Sequence, residues 1–420
     1  MRRVIETLVG FAVLTGVVVG ITTLTPAELP RVTTVEAIRS TKVVCVPAAA
    51  GATVMVDNTT TVTPLGGATT QTNRAVLTGQ ETSVVAEGTD GPTGSTIVGN
   101  DGVRTLTQCV KPVSRGVIAL PATADTQLKI VNPDASEAAI DLTLYGAEGE
   151  IQSLGARGIT LAAYEERAIA LSVLTKKATP VGVSFQASRG RAAVMAITQT
   201  QSSGTAAGPS QLGTSHLLPG IPAGATSSVI VLANPSETRI TANLTAYGTT
   251  PAYHPQGGEN ISIPSHASVS VSLENALLGE ASAIQVSSDA PVMAGMAFTL
   301  GDSAQVAPVS AGTSLGAFTP PGGTLQLTNP GEGDVQATVT ATGADGTEER
   351  ATVTVGTGQT TVHKLSTATE QGQRVVVSSD QPLFGAVVSS GDTGSWAAPL
   401  ESMTKGENPP LAAELDPGLH

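Results

Sequence analysis

The stretch Leu128–Gly146, LKIVNPDASEAAIDLTLYG, recurs twice, as IVLANPSETRITANLTAYG over Ile230–Gly248 and as LQLTNPGEGDVQATVTATG over Leu325–Gly343. Each copy holds an Asn-Pro pair (Asn132-Pro133, Asn234-Pro235, Asn329-Pro330) and a glycine 14 residues after the Asn. A fixed period marks tandem units. The residues two and four before each Asn are apolar: Leu128 and Ile130, Ile230 and Leu232, Leu325 and Leu327. Side chains alternate faces along a strand, so each pair enters one core. After the Asn, Ile140, Leu142 and Leu144 alternate with Asp141 and Thr143, and the sister copies repeat the pattern. That reads as a strand with one buried and one wet face. The Asn-Pro between the strands reads as a turn device, the alternative being a ligand contact. A residue before Pro is pushed out of the helical region, and an Asn side chain bonds nearby backbone.

The units continue in register through Ile159/Leu161/Leu171, Ile261/Ile263/Leu273 and Val353/Val355/Leu365. Ser287-Ser288-Asp289-Ala290-Pro291 and Ser378-Ser379-Asp380-Gln381-Pro382 read as hairpins near the unit ends. About seven short strands fall in a period of roughly 90 to 100 residues, the density of an immunoglobulin-like sandwich. The expected fold is therefore all-β, with tandem immunoglobulin-like β-sandwich units after one N-terminal transmembrane helix. The antibody Cys…Trp…Cys pattern is absent.

Composition narrows the function. Of 420 residues only 13% are charged and 2% aromatic, and the net charge is −13. An acidic chain lacks the Lys/Arg footprint of a nucleic-acid binder, and nearly aromatic-free domains lack stacking platforms. No nucleic-acid partner is expected, and a conventional sugar-stacking site is disfavoured on the same ground.

In chain order, residues 1–26 read as a signal anchor. Arg2 and Arg3 precede a charge-free run from Leu8 to Leu24, enough with its flanks to cross a bilayer and leave the rest of the chain exported. The A-x-A-like site of a cleaved signal peptide, the alternative, is missing. Residues 27–42 are a linker, and 43–114 a short β unit bracketed by Cys45 and Cys109, the only cysteines. In an exported chain that pair reads as a disulfide; a metal or redox pair needs closer spacing. Asn58, which follows Val54 and Val56, reads as a degenerate copy of the Asn-Pro turn. Three full units occupy 115–205, 216–308 and 316–399 (units 1, 2 and 3), and 400–420 reads as a disordered tail.

No reactive constellation stands out. Gly312-Thr313-Ser314-Leu315-Gly316 matches the nucleophile-elbow pattern, but no helical pattern follows it. His216, His254, His266, His363 and His420 lack metal-ligand spacing. Asp289 and Asp380 offer one carboxylate per loop, short of a calcium cage. Trp396, the single tryptophan, reads as a plug at the end of unit 3, with a partner contact as the alternative. The expectation is a non-enzyme with no catalytic, metal or cofactor site.

The Arg-Arg anchor, the Cys45/Cys109 bracket and the Asn-Pro…Gly units together resemble an uncharacterised family of membrane-anchored envelope proteins of high-GC Gram-positive bacteria, a domain of unknown function often encoded near a membrane glycosyltransferase. The resemblance implies a single-pass cell-membrane protein with extracytoplasmic domains near envelope glycan assembly, and it assigns no functional residue. The leading expectation is a non-enzymatic scaffold or interaction protein of the envelope, contacting a protein or wall polymer. The second is a glycan- or polymer-binding accessory module, which a tandem array would serve by avidity.

Overall fold

The computed structural model describes residues 41–403, apart from 90–92, 101–102, 176–179, 200–203, 321, 344, 367–371 and 390–394. The expected anchor and linker up to residue 40, and residues 404–420, lie outside the described residues. The described chain is all-β. No helix among the described residues is long and apolar enough to cross a membrane.

Every unit is threaded the same way through two sheets. In the short unit Thr41–Cys45, Val84–Gly88, Thr61–Pro64 and Thr70–Gln71 form one sheet, and Arg74–Gln80, Ala52–Asp57, Thr93–Asn100 and Val103–Gln108 the other. In unit 1 the first sheet runs Arg115–Pro121, Pro180–Arg189, Ala138–Gly146, Gly149–Ile151. Its second sheet runs Glu166–Ala170, Thr126–Val131, Ala193–Gln199, Gly204–Ala207. The two share one core, in which Ile118, Leu142 and Phe185 of the first meet Leu128, Ile130 and Val194 of the second. The opening and closing strands of a unit therefore lie in different sheets. An immunoglobulin sandwich instead places its first strand beside its second and its last beside its sixth. Here the opening strand Arg115–Pro121 pairs with Pro180–Arg189, and Ala193–Gln199 pairs with Thr126–Val131.

The two Ser-Ser-Asp-x-Pro segments are not hairpins. They lie inside single long strands, Ser282–Leu300 and Gln373–Ser389. Ser287 pairs with Ser215 and Asn243 in one sheet, and Met293 pairs with Ala233 in the other. Each segment marks where the strand changes sheet. A proline is tolerated there because no ladder claims its missing N–H.

The repeated Asn side chains are buried, with Asn132, Asn234 and Asn329 at 1%, 0% and 1% exposure. The Asn234 amide donates to Thr238 O, Ile263 O and Pro264 O at 2.7, 3.2 and 3.1 Å, and its Oδ1 accepts the Ser236 N–H at 2.8 Å. Asn132 binds Ser136 O, Leu161 O and Ala162 O in the same way, and Asn329 binds Gly333 O and Val355 O. One side chain thus ties its own turn to a strand end about 30 residues on. The backbone N–H of each Asn bonds the carbonyl just before the next edge strand: Glu165, Ala267 and Gln359. In the short unit that bond comes from Thr59 to Asn73 O. Asn58 sits one residue earlier in a left-handed conformation, φ 56°, so Thr59 rather than Asn58 holds the place of the repeated Asn.

Successive units join by one rule. The first sheet of each unit packs on the second sheet of the next. Val44, Val46 and Val85 of the short unit meet Val131, Ala193, Met195 and Ile197 of unit 1. Val117, Ala119 and Tyr145 of unit 1 meet Val231, Ala233 and Met293 of unit 2. The first residue of one edge strand clasps the preceding unit each time. The Glu166 carboxylate accepts the Ser83 N–H at 2.9 Å, Ser268 Oγ donates to Tyr145 O at 2.9 Å, and Thr360 Oγ1 donates to Tyr247 O at 2.6 Å. The fourth joint closes the series. Arg74, the equivalent residue of the short unit, lies over the Phe318 ring of unit 3 at 6.0 Å, and Asp57 pairs with Arg374 at 3.0 Å. Leu106 and Ile97 of the short unit enter the core of unit 3. Eight sheets thus follow one another face to face and end where they began, as the blades of a propeller do.

Unit 3 extends past its expected end. Leu400 is fully buried, Glu401–Ser402 pairs with Gly312–Thr319, and the Met403 N–H bonds Ser314 O at 2.9 Å. Replacing Asn234 by Ala strands buried carbonyls and one N–H. It is expected to cost about 2–3 kcal/mol in urea unfolding, whereas Asn58→Ala, which removes no described bond but sets an alanine at φ 56°, should cost about 1 kcal/mol through the backbone alone.

Candidate functional site

The closing strands of the four units, Val103–Gln108, Gly204–Ala207, Asp302–Val306 and Trp396–Pro399, touch one another in cyclic order. Just after each, the chain turns back onto the opening strand of its own unit, in the pairs Val44–Val110, Val117–Ser210, Leu217–Val309 and Gly316–Glu401. These pairs put the four segments in register. Four residues earlier stand Leu106, Ala206, Gln305 and Ala397; two residues earlier stand Gln108, Gly208, Ala307 and Pro399. All eight line one cavity of about 290 Å³, so every second residue of each closing segment faces the shared axis.

The walls are small and apolar, and the residues lining the cavity include no aromatic ring. Gln305 is 8% exposed and its Oε1 has no hydrogen-bond partner; Gln108 Nε2 has none either. Lys111, Ser310, Glu401 and Ser402 are the other polar residues of the lining. Burial pushes the Glu401 carboxyl above the usual carboxylate range, and Lys111 pulls it partly back. An unpaired amide nitrogen and an unpaired amide oxygen in one chamber form a binding geometry. They are not a catalytic pair.

A second, open cleft of about 600 Å³ lies along Pro112–Arg115, Asp134, Arg191 and Gln211. Its charges serve a joint. Asp134 accepts from Arg191 Nε at 2.7 Å and Lys42 Nζ at 2.9 Å, and Lys42 also reaches Pro133 O. The Arg191 hydrogen bond, with Lys42 beside it, holds the Asp134 pKa down to about 2.

The residues singled out in the sequence sit elsewhere. Cys45 and Cys109 form a disulfide that joins the end of the opening strand to the residue after the closing strand, across the short unit's core. A Cβ on Gly94 would lie 2.9 Å from Cys109 Sγ, so glycine makes room for the bridge. Asn132-Pro133, Asn234-Pro235 and Asn329-Pro330 stand at the buried turns described above. Trp396 is 3% exposed and begins the closing strand of unit 3, packed in that unit's core. It presents no exposed face to a partner. Ser314 of the elbow-like motif lies within the strand Gly312–Thr319, paired with Ser378, so the strand–turn–helix geometry of an elbow is not formed. His216 Nε2 faces Gly213 O and Val292 O at 3.0 and 2.9 Å, and burial lowers its pKa. Among the described residues no three His, Cys, Asp or Glu side chains gather as metal ligands would.

A model of a family of unknown function, DUF5719, matches residues 93–319, more than half of the chain. The chain belongs to that family. The DUF5719 match starts at the strand Thr93–Asn100 of the short unit, spans units 1 and 2, and ends with the opening strand of unit 3. It therefore includes Gln108 and Gln305 but not Glu401. No curated protein matches the sequence. A solved structure of a tetra-tandem repeat in the extending region of a large adhesion protein aligns at 14% identity over 85% of this chain and 93% of that one; its TM-score of 0.10 carries no argument about fold or function.

Asp134 and Glu401 affect stability with opposite sign. For Asp134, whose folded pKa is depressed, the stabilisation is present above the unfolded pKa and is lost as pH falls toward 2. For Glu401, whose folded pKa is raised, it is present below the unfolded pKa and lost as pH rises through the folded one. Glu401→Gln is therefore expected to melt higher than the parent at pH 7 and with it below about pH 4. Asp134→Asn should melt lower at pH 7, by under about 1 kcal/mol for so exposed a cluster, with a shallower acid loss. Thermal melts across pH 2–8 check both.

Proposed function

We propose that this protein is a non-enzymatic scaffold or interaction protein of the bacterial cell envelope, held in the cell membrane as a single pass by its N-terminal segment, with the β units outside the cytoplasm. We read the units as immunoglobulin-type sandwiches in which the first and last strands have exchanged sheets. The observation that carries the reading is what the polar side chains do. Ser268, Thr360, Glu166, Asp134 and Arg374 hold one unit to the next. Such a chain invests its polarity in a fixed platform. The disulfide supports an oxidising compartment. The charge-free Leu8–Leu24 run after Arg2 and Arg3 supports the anchor and its orientation.

A second reading, an envelope glycan- or polymer-binding accessory module acting beside a membrane glycosyltransferase, draws support from the axial cavity and its uncommitted amides. In either reading the partner is an envelope component.

The test is topology in cells. The full chain with a C-terminal tag is expected to sediment with membranes, and the tag to be digested by protease added to wall-stripped cells. A chain starting at residue 43 should leave the membrane fraction. A protected tag, or a full chain found in the soluble cytoplasmic fraction, contradicts the proposal.

A further inference from the structure

The axial cavity holds one hydrogen-bond donor and one acceptor that the protein leaves unused. Gln108 Nε2 comes from the short unit and Gln305 Oε1 from unit 2. These units alternate in the cyclic order, so the two amides approach from opposite sides of the axis. Leaving a buried amide oxygen unpaired is costly to the folded state, and such groups are rare in native proteins. The equivalent positions in the other units are apolar, Leu106, Ala206 and Ala397, so the fold itself does not call for an amide there.

A group that satisfies both orphans accepts one hydrogen bond and donates another, and a secondary amide does so toward opposite sides, because its C=O and N–H point in opposite directions. The rest of the lining selects among amides. Pro209, Ala307, Val309 and Ala397 present small aliphatic surface, with no ring for a sugar face to stack on. The volume, about 290 Å³, is at the small end of ligand sites. We propose that the axial cavity is a peptide-binding site that takes one backbone amide of a short, small-side-chain segment, its C=O accepting from Gln108 Nε2 and its N–H donating to Gln305 Oε1. The proposal stands independently of the membrane topology above: it concerns the four-unit body alone.

The test uses the full chain in mild detergent and the probe N-acetyl-alanine N-methylamide, with N-acetylglucosamine and glucose as comparisons, read by saturation-transfer NMR titration. The peptide probe is expected to bind saturably and more tightly than either sugar. Gln305→Leu should weaken it at least about tenfold, the cost of an unpaired ligand N–H, while melting no lower than the parent because its own orphan is gone. Ala206→Phe, which fills the chamber from unit 1 and leaves both amides in place, should abolish binding. The proposal is overturned by no saturable binding of the peptide probe, by preference for either sugar, or by equal affinity in Gln305→Leu with its fold retained. The last outcome would place the bound probe away from Gln305.

Discussion

Burial of both faces of the inner strands of each sheet is the constraint on which this structure rests. A sheet in a two-layer sandwich needs one apolar face, but here the opening strand Val43, Val44, Cys45, Val46 is buried throughout, as is Ala192–Ile197 in unit 1. Alternate residues along such a strand point to opposite faces, so both must be covered. Val43 and Cys45 fill the short unit's own core, while Val44 and Val46 belong to the joint with unit 1. An open string of four units would leave one first sheet and one second sheet bare at its ends. The contact of unit 3 with the short unit covers both.

Close sheet-to-sheet packing also accounts for the composition. Where unit 1 meets unit 2, a Cβ on Gly295 would lie 1.8 Å from Ala119 O, and one on Gly182 would lie 2.4 Å from the Ala233 Cβ. Such spacing leaves room for Gly, Ala and Val and little for rings. With both faces of the inner strands covered, charges stand at 13% and aromatics at 2%. At the closing joint, where the equivalent pair is Arg374 and Asp57, an ion pair replaces small residues.

The outer strands were the legible part of the sequence. Ala138–Gly146 has one face toward the core and one toward solvent, so its alternation of Ile140, Leu142 and Leu144 with Asp141 and Thr143 gave the class and the repeat. The period and the paired cysteines were readable for the same reason: each is a local pattern. The thread was not. Ser287–Pro291 carries turn chemistry, and turn residues do not distinguish a hairpin from a strand that changes sheet. The closing strands were hardest, because Gly204–Ala207 and Trp396–Pro399 are only four residues long and share no more than an Ala-Ala pair. Their equivalence appears only when the pairs Val117–Ser210 and Gly316–Glu401 set the register. Without it, Gln108 and Gln305 look like unrelated polar residues. The one available signal was a Gln at strand positions where sister units carry Leu and Ala.

Closure of the four units is the central claim, and the joint between the short unit and unit 3 tests it most directly. Asp57 and Arg374 lie 317 residues apart in the chain and 3.0 Å apart in space. The variant Arg374→Lys, treated with a zero-length carbodiimide and digested, should yield from its monomeric fraction a peptide pair joined through Asp57 and position 374. Recovery of crosslinks between sequential units alone, with this pair missing, would mean that the units form an open string, and the axial cavity would go with the closure.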